Sequence, residues 1–155
     1  MSKAYVREGA KVVVADLNTT SKDPAEASIS THDLITKAGG EAIFRELNVV
    51  DGAKFSDLVE ETVSQFGRLD ILVNNAGVAV SPAQGSERPI WDHTDGAYDL
   101  CMDVNAKGVF NGTRAASKVM INQTPGASGD RGWIINMASI YGLVAFNNIS
   151  ESGPQ

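Results

Sequence analysis

The sequence is poor in cysteine, in histidine and in clustered positive charge. Its single cysteine, Cys101, excludes an internal disulfide and predicts a reducing compartment, which we take to be the cytoplasm. His32 and His93 stand far apart, without cysteine or acidic partners at ligand spacing, so we expect no metal site and two solvated rings. The net charge of −6 and the absence of any Lys/Arg cluster argue against nucleic-acid and membrane partners.

Long hydrophobic runs are also absent. No apolar stretch approaches the length that spans a bilayer, and residues 1–4 lack the apolar segment of a signal peptide. The 155 residues suffice for one domain with a core, and a hydrophobic content of 43% is ordinary for a globular protein. We therefore expect a single domain over residues 1–155.

One short apolar run organises the rest of the chain. Residues 69–73 are mostly apolar and lead directly into Asn74-Asn75-Ala76-Gly77. An apolar run of this length, bounded by turn residues, predicts a strand that is buried on both faces. Its amides stand at the carboxyl end, which is where an open α/β sheet binds its ligand.

Strand and helix patterns alternate along the chain. The other predicted strands are residues 11–16, 41–47 and 133–138, of which the first and last are expected to be buried. The predicted helices are the last turns of one over residues 1–10, one from residues 25–30 to 39–40, and one over residues 52–66 between Asp51 and Gly67. Arg45 and Glu46 are typical of an edge strand. Short connections through helices predict parallel strands in a doubly wound α/β sheet.

A further helix is predicted to begin after Thr94, a good N-cap residue. Its apolar stripe comprises Tyr98, Cys101, Val104, Val109 and Phe110. Asn105 falls close to that stripe, where alanine or leucine would be expected. Because a buried amide needs partners, Asn105 is either a functional residue or a satisfied structural one.

Asp16 closes the strand of residues 11–16. In a dinucleotide-binding fold, an acidic residue at this place accepts hydrogen bonds from the adenosine ribose and repels a 2′-phosphate. The next residues, Leu17 and Asn18, offer no cation to hold that phosphate. A strand-ending aspartate in an ordinary turn explains the pattern equally well, so both interpretations stay open.

Three motifs together resemble the short-chain dehydrogenase/reductase family. Asn74-Asn75-Ala76-Gly77 matches its Asn-Asn-Ala-Gly motif, residues 104–110 resemble the segment with its active-site Asn, and residues 134–139 are similar to the strand that delivers its catalytic Ser. The resemblance extends to about residue 143. It implies a Rossmann-like fold, here a partial dinucleotide-binding domain, and hydride transfer between NAD(P) and an alcohol or carbonyl compound.

The resemblance also implies roles for single residues. The implied cofactor-binding residues are Asp16, Asn48, Val49, Asn75, Ala76 and Gly77. Asp16 would favour NAD over NADP, and Asn48 departs from the family's usual aspartate by losing its charge. Asn105 would support a proton-relay water, and Ser139 would hydrogen-bond the substrate oxygen and polarise it.

Two motifs of the family do not occur in the 155 residues. One is the Gly-rich turn whose backbone N–H groups bind the pyrophosphate, and the other is Tyr-x-x-x-Lys after Ser139, whose Tyr is the general acid/base. Tyr141 is a poor substitute because Ala145 stands where the lysine would be, and an unassisted phenol has a pKa of about 10. We therefore expect an incomplete fold, truncated at both ends, without the first strand and the carboxyl-terminal strands. We also expect this truncated chain to be inactive, with no turnover at a useful rate.

The missing first strand would lie between the strands of residues 11–16 and 69–74. The chain is then either marginally stable or pairs these two strands directly. A non-catalytic Rossmann-like binding or assembly module is the alternative function, although the retained Asn105 and Ser139 favour an enzyme. The expected partner is a small-molecule alcohol or carbonyl substrate, and a homo-oligomer stays open.

Overall fold

The computed structural model describes residues 1–19, 29–79 and 89–140. The strands in these ranges are β1 (Val12–Asp16), β2 (Ala42–Glu46), β3 (Ile71–Asn74) and β4 (Trp133–Asn136). The helices are α1 (Ser2–Arg7), α2 (Thr31–Lys37), α3 (Gly52–Phe66), α4 (Asp95–Cys101) and α5 (Gly108–Met120), with a short 3-10 turn at Ile90–Asp92 and a π-helical segment, Met102–Lys107, that joins α4 to α5. None of the helices in these ranges has the length and apolarity needed to cross a membrane.

The strands form two parallel pairs. β1 pairs with β2, and β3 pairs with β4, which confirms the predicted parallel arrangement. Because each described sheet has two strands, the edge position of β2 stays a prediction. β1 and β3 do not pair with each other, so the expectation of direct pairing is wrong. The helices follow the same division, since α1 packs on β1, α2 packs on β2, and α5 packs on β3 and β4. Marginal stability remains a prediction.

The main apolar core lies where α3 and α5 meet the strands. Its buried residues are Leu47, Phe55, Val59 and Ala115, and Leu72 of β3 packs against them. The inner face of α3 therefore includes Phe55 and Val59.

Both ends of α3 are capped as predicted. The Asp51 carboxylate accepts hydrogen bonds from the backbone N–H groups of Ala53 and Lys54, each at 3.1 Å. Gly67 ends the helix with φ 86°, a left-handed conformation that favours glycine.

The prediction that β3 and β4 are buried on both faces is wrong. Leu72 and the buried Asn74 contact the core and α5, but Ile71 is 38% exposed and its register partner Trp133 is 59% exposed. Successive residues of a strand point to opposite faces, so one face of this sheet is covered and the other is open. α5 packs on both strands of this sheet. The valines of β1 are likewise only partly buried.

The apolar stripe predicted for the helix after Thr94 is only partly correct. Thr94 caps α4, and Cys101 is buried, but Tyr98 and Phe110 are 55% and 59% exposed. The π-helical segment widens one turn, so a period of 3.6 residues does not continue from α4 into α5. Apart from Met120, the buried face is instead made of small and amide residues: Ala97, Cys101, Asn105, Gly108, Asn111, Gly112, Ala115 and Ala116.

The amino end of α2 is fixed by polar contacts. Ser30 is the N-cap, and its hydroxyl accepts a hydrogen bond from the Asp33 N–H at 3.2 Å. His32 Nδ1 lies 2.9 Å from that hydroxyl, and its ring stacks on Phe44 with the centroids 5.7 Å apart. The expectation of two solvated histidines is therefore wrong for His32, and His93 is also partly buried. The earlier residues of the predicted helix, 25–28, lie outside the described ranges.

Candidate functional site

The candidate site lies where the carboxyl ends of the strands meet one helix. The turn after β2 contacts Asn111 of α5, and the segment after β3 contacts Asn105 of the adjoining π-helical segment. Since the carboxyl ends of neighbouring parallel strands lie at one edge, α5 and this segment bring the predicted cofactor-binding residues to the same side of the molecule.

Asp16 presents an accessible carboxylate at the end of β1. One carboxylate oxygen accepts a hydrogen bond from the Leu17 N–H at 2.7 Å, and the side chain is exposed. The Asp16 carbonyl accepts from the Leu47 N–H at 2.9 Å, which places the residue beside the turn after β2. The carboxylate is therefore able to accept hydrogen bonds from hydroxyl groups of a ligand.

Asn48 and Val49 form that turn. The Asn48 side-chain oxygen accepts a hydrogen bond from the Val50 N–H at 3.1 Å, so one of its two acceptor positions already serves the turn. Val49 packs into the space beside Gly108, where an added Cβ would lie 2.7 Å from Val49 Cγ2. The turn is thus held against α5 by side-chain packing.

Residues 75–77 follow β3, and they are exposed to solvent. At Gly77, an added Cβ would meet only Asn105 Oδ1 at 3.5 Å, an ordinary contact, and the backbone is outside the left-handed region. Neither crowding nor backbone conformation therefore requires glycine at this position. A ligand that approaches the backbone closely would require it, and this part of the site fits a bound cofactor in that respect.

Asn105 is buried, as its position near the helix stripe indicated, and both polar atoms of its side chain make a hydrogen bond. Its Oδ1 accepts a hydrogen bond from the Val78 N–H at 2.8 Å, and its Nδ2 donates to the Val78 carbonyl at 2.9 Å. These bonds fit the interpretation of Asn105 as a satisfied structural residue, because its amide holds the segment after β3 against the helix.

A polar cluster at the ends of β3 and β4 was missed in the sequence. Asn74 is buried, and its Nδ2 donates to Asn136 Oδ1 at 2.9 Å and to Thr113 Oγ1 at 3.4 Å. Gly112 lies against this cluster, since an added Cβ would collide with Asn74 Oδ1. The sequence signal that could have revealed this cluster is that the two neighbouring strands, β3 and β4, both end in asparagine.

Ser139 follows β4 at the same edge as residues 75–77. The register of β4 on β3 fixes this, because Asn136 pairs with Asn74 and the Met137 N–H donates to the Asn74 carbonyl at 3.0 Å. Ser139 is exposed three residues beyond Asn136. Tyr141 lies outside the described residues.

Comparison with known proteins decides the family. A sequence profile described as short chain dehydrogenase matches residues 1–151. The chain belongs to the short-chain dehydrogenase family. The structure has parallel strands, and Asn-Asn-Ala-Gly stands at the end of β3, as the resemblance to this family implied.

Similar proteins cover the chain almost completely. An uncharacterized oxidoreductase of Methylorubrum extorquens is 39% identical over 140 residues, which are 90% of this chain and 49% of that protein. Cyclopentanol dehydrogenase of a Comamonas species is 33% identical over 89% of this chain and 48% of its own length. The crystal structure of a short chain dehydrogenase from Mycobacterium smegmatis matches with a TM-score of 0.79 and 29% identity, over 97% of this chain and 55% of that one. The chain thus spans about half the length of the relatives it matches.

Proposed function

We propose that this short-chain dehydrogenase is an oxidoreductase that uses NAD(H) to interconvert an alcohol and a carbonyl compound. The observation that carries the proposal is the place of Gly77, which follows β3 at the carboxyl edge and lies beside Asn105, where neither crowding nor backbone conformation requires glycine. Gly108 and Gly112 differ, since an added Cβ at either would crowd Val49 or Asn74. Gly96 is equally uncrowded but lies at the start of α4, so the position of Gly77 just after β3, and not its openness alone, supports contact with a ligand.

The residues present fit the adenosine half of NAD better than its pyrophosphate. Asp16 offers a carboxylate to the ribose hydroxyls, and the neighbouring Leu17 offers no charge to a 2′-phosphate. This supports NAD over NADP. No Gly-rich phosphate-binding turn occurs in the 155 residues, so we expect weak binding to this chain.

NAD, when bound, accepts or supplies the hydride. Ser139 would donate a hydrogen bond to the substrate oxygen and stabilise negative charge on it. Asn105 would hold the segment after β3 in place through Val78. Since no Tyr-x-x-x-Lys occurs in the 155 residues, they offer no evident proton donor, and we propose that this chain alone turns over slowly.

A secondary alcohol or the matching ketone is the substrate class that we propose. The support is the similarity to cyclopentanol dehydrogenase, whose name specifies a cyclic alcohol.

Calorimetric titration with NAD and NADP tests the cofactor proposal. We expect wild-type protein to bind NAD more tightly than NADP, and Asp16→Ser to reduce this preference because it removes the negative charge. Gly77→Ala should weaken NAD binding by about tenfold, equivalent to roughly 1.4 kcal/mol, without lowering stability. Gly96→Ala is the matched control, because an added Cβ there meets no atom within 4 Å.

Two results would contradict the proposal: tighter binding of NADP than of NAD, or unchanged NAD affinity in Gly77→Ala. Turnover is tested separately by incubating the 155-residue chain with NAD and cyclopentanol. Rapid NADH formation would show that the proposed slow turnover is wrong.

A further inference from the structure

Asn111 is a buried amide in the first two turns of α5, and it is 4% exposed. Its Nδ2 donates to the Val49 carbonyl at 2.9 Å and to the Val50 carbonyl at 3.2 Å. Its Oδ1 accepts a hydrogen bond from Arg114 Nη2 at 3.3 Å. Both hydrogen bonds that the amide donates thus go to backbone carbonyls of a turn about sixty residues earlier in the chain.

The same turn is packed closely around this amide. Gly52, the first residue of α3, leaves no room for a side chain, because a Cβ would lie 2.8 Å from Asn111 Oδ1 and 2.7 Å from Arg114 Nη2. On the other side, Val49 fills the space that Gly108 leaves open. Asn111 therefore sets where the turn sits relative to α5.

The turn in question carries the residues proposed to meet the adenosine. Asn48 accepts the Val50 N–H within it, and Leu47, just before it, donates its N–H to the Asp16 carbonyl. A shift of the Val49 and Val50 carbonyls would therefore move Asn48 relative to Asp16.

We propose that Asn111 is a positioning residue for the adenosine end of the cofactor site, an inference that rests on the proposed function. Asn111 need not touch the cofactor. Its two donated hydrogen bonds fix the turn before a ligand arrives, so binding does not have to order it.

Asn111→Asp is the principal test variant. It keeps the size of the side chain but replaces the donating group by an oxygen that faces two carbonyls. Asn111→Ala is the second variant, in case the carboxylate unfolds the protein. Met120→Ala is the matched control, since Met120 is buried in the same helix but contacts Gly132 at its far end.

Two measurements compare each Asn111 variant with Met120→Ala. Urea is added so that the proteins compared have the same free energy of unfolding. Amide hydrogen exchange reports the turn through the Val50 N–H, and calorimetry with AMP reports the adenosine site. Relative to Met120→Ala, we expect either Asn111 variant to exchange the Val50 N–H about tenfold faster and to bind AMP about tenfold more weakly, as expected for the loss of a buried hydrogen bond.

Unchanged exchange at Val50 would overturn the inference, because the turn would then be held without Asn111. Faster exchange with unchanged AMP affinity would also overturn it, because the turn would not belong to the site. Failure of the wild-type protein to bind AMP would overturn the proposed function and the adenosine role with it. In that case, the exchange comparison alone decides whether Asn111 holds the turn.

Discussion

Gly112→Ala should destabilise the protein, although alanine is the better helix former. Gly112 is on the inner face of α5, where an added Cβ would collide with Asn74 Oδ1 and lie 2.8 Å from Phe55 Cζ. Neither neighbour can move easily. Asn74 donates to Asn136 at 2.9 Å, and Phe55 is buried in the core.

The expected magnitude is a balance of three effects. Replacing glycine by alanine in a helix interior stabilises the helix by about 1 kcal/mol. Overpacking a core costs about 1–3 kcal/mol, and displacing Asn74 from Asn136 costs about 1 kcal/mol more. The free energy of unfolding should therefore fall by about 1–3 kcal/mol.

Urea denaturation followed by far-ultraviolet circular dichroism measures this change. Gly96→Ala is again the control, because α4 leaves space for its methyl group, and it should be neutral or stabilising by up to about 1 kcal/mol. If Gly112→Ala proves as stable as the wild type, α5 does not pack on β3 as closely as described and the reasoning is refuted.

Two further predictions concern polar pairs. Asn105→Asp keeps the acceptor for the Val78 N–H but loses the donor to the Val78 carbonyl, so urea denaturation should show a loss of about 1–3 kcal/mol, and no loss would contradict the described contact. The hydrogen bond from Arg45 lowers the pKa of Glu61, so the stability contributed by this pair is complete above the unfolded-state pKa of about 4.3 and disappears as the pH falls through the lower folded-state value. The stability difference between wild type and Glu61→Gln should be small and should vanish in acid, whereas a pH-independent difference would contradict it.

Local sequence signals predicted the parts of the fold that local physics determines. Asp51 and Thr94 cap helices because their side chains reach N–H groups two or three residues away. Gly67 ends α3 because it adopts a positive φ. Asn105 was singled out because an amide near an apolar stripe needs partners, although the identity of Val78 as that partner was not evident.

What the sequence did not reveal depends on distant contacts. The strand of Ile71 looks fully buried by composition, but burial depends on whether a helix covers each face of the sheet. Asn111 finds its carbonyl partners about sixty residues away, so no local pattern identifies it, and the pairing of Asn74 with Asn136 joins two strand ends that are equally distant in the sequence. The buried face of α5 is built on glycine and alanine, which a search for large apolar residues does not detect.

A chemical-shift map of the 155-residue protein titrated with NAD tests the central claim most directly. We predict shifts at Asp16, Asn48 and residues 75–77, at the carboxyl edge of the strands, with little change at Trp133 at the opposite end of β4. A groove lined by Arg68, Lys118 and neighbouring residues lies between the carboxyl ends of α3 and α5. Shifts confined to that groove, or no shifts at millimolar NAD, would contradict the proposed cofactor site.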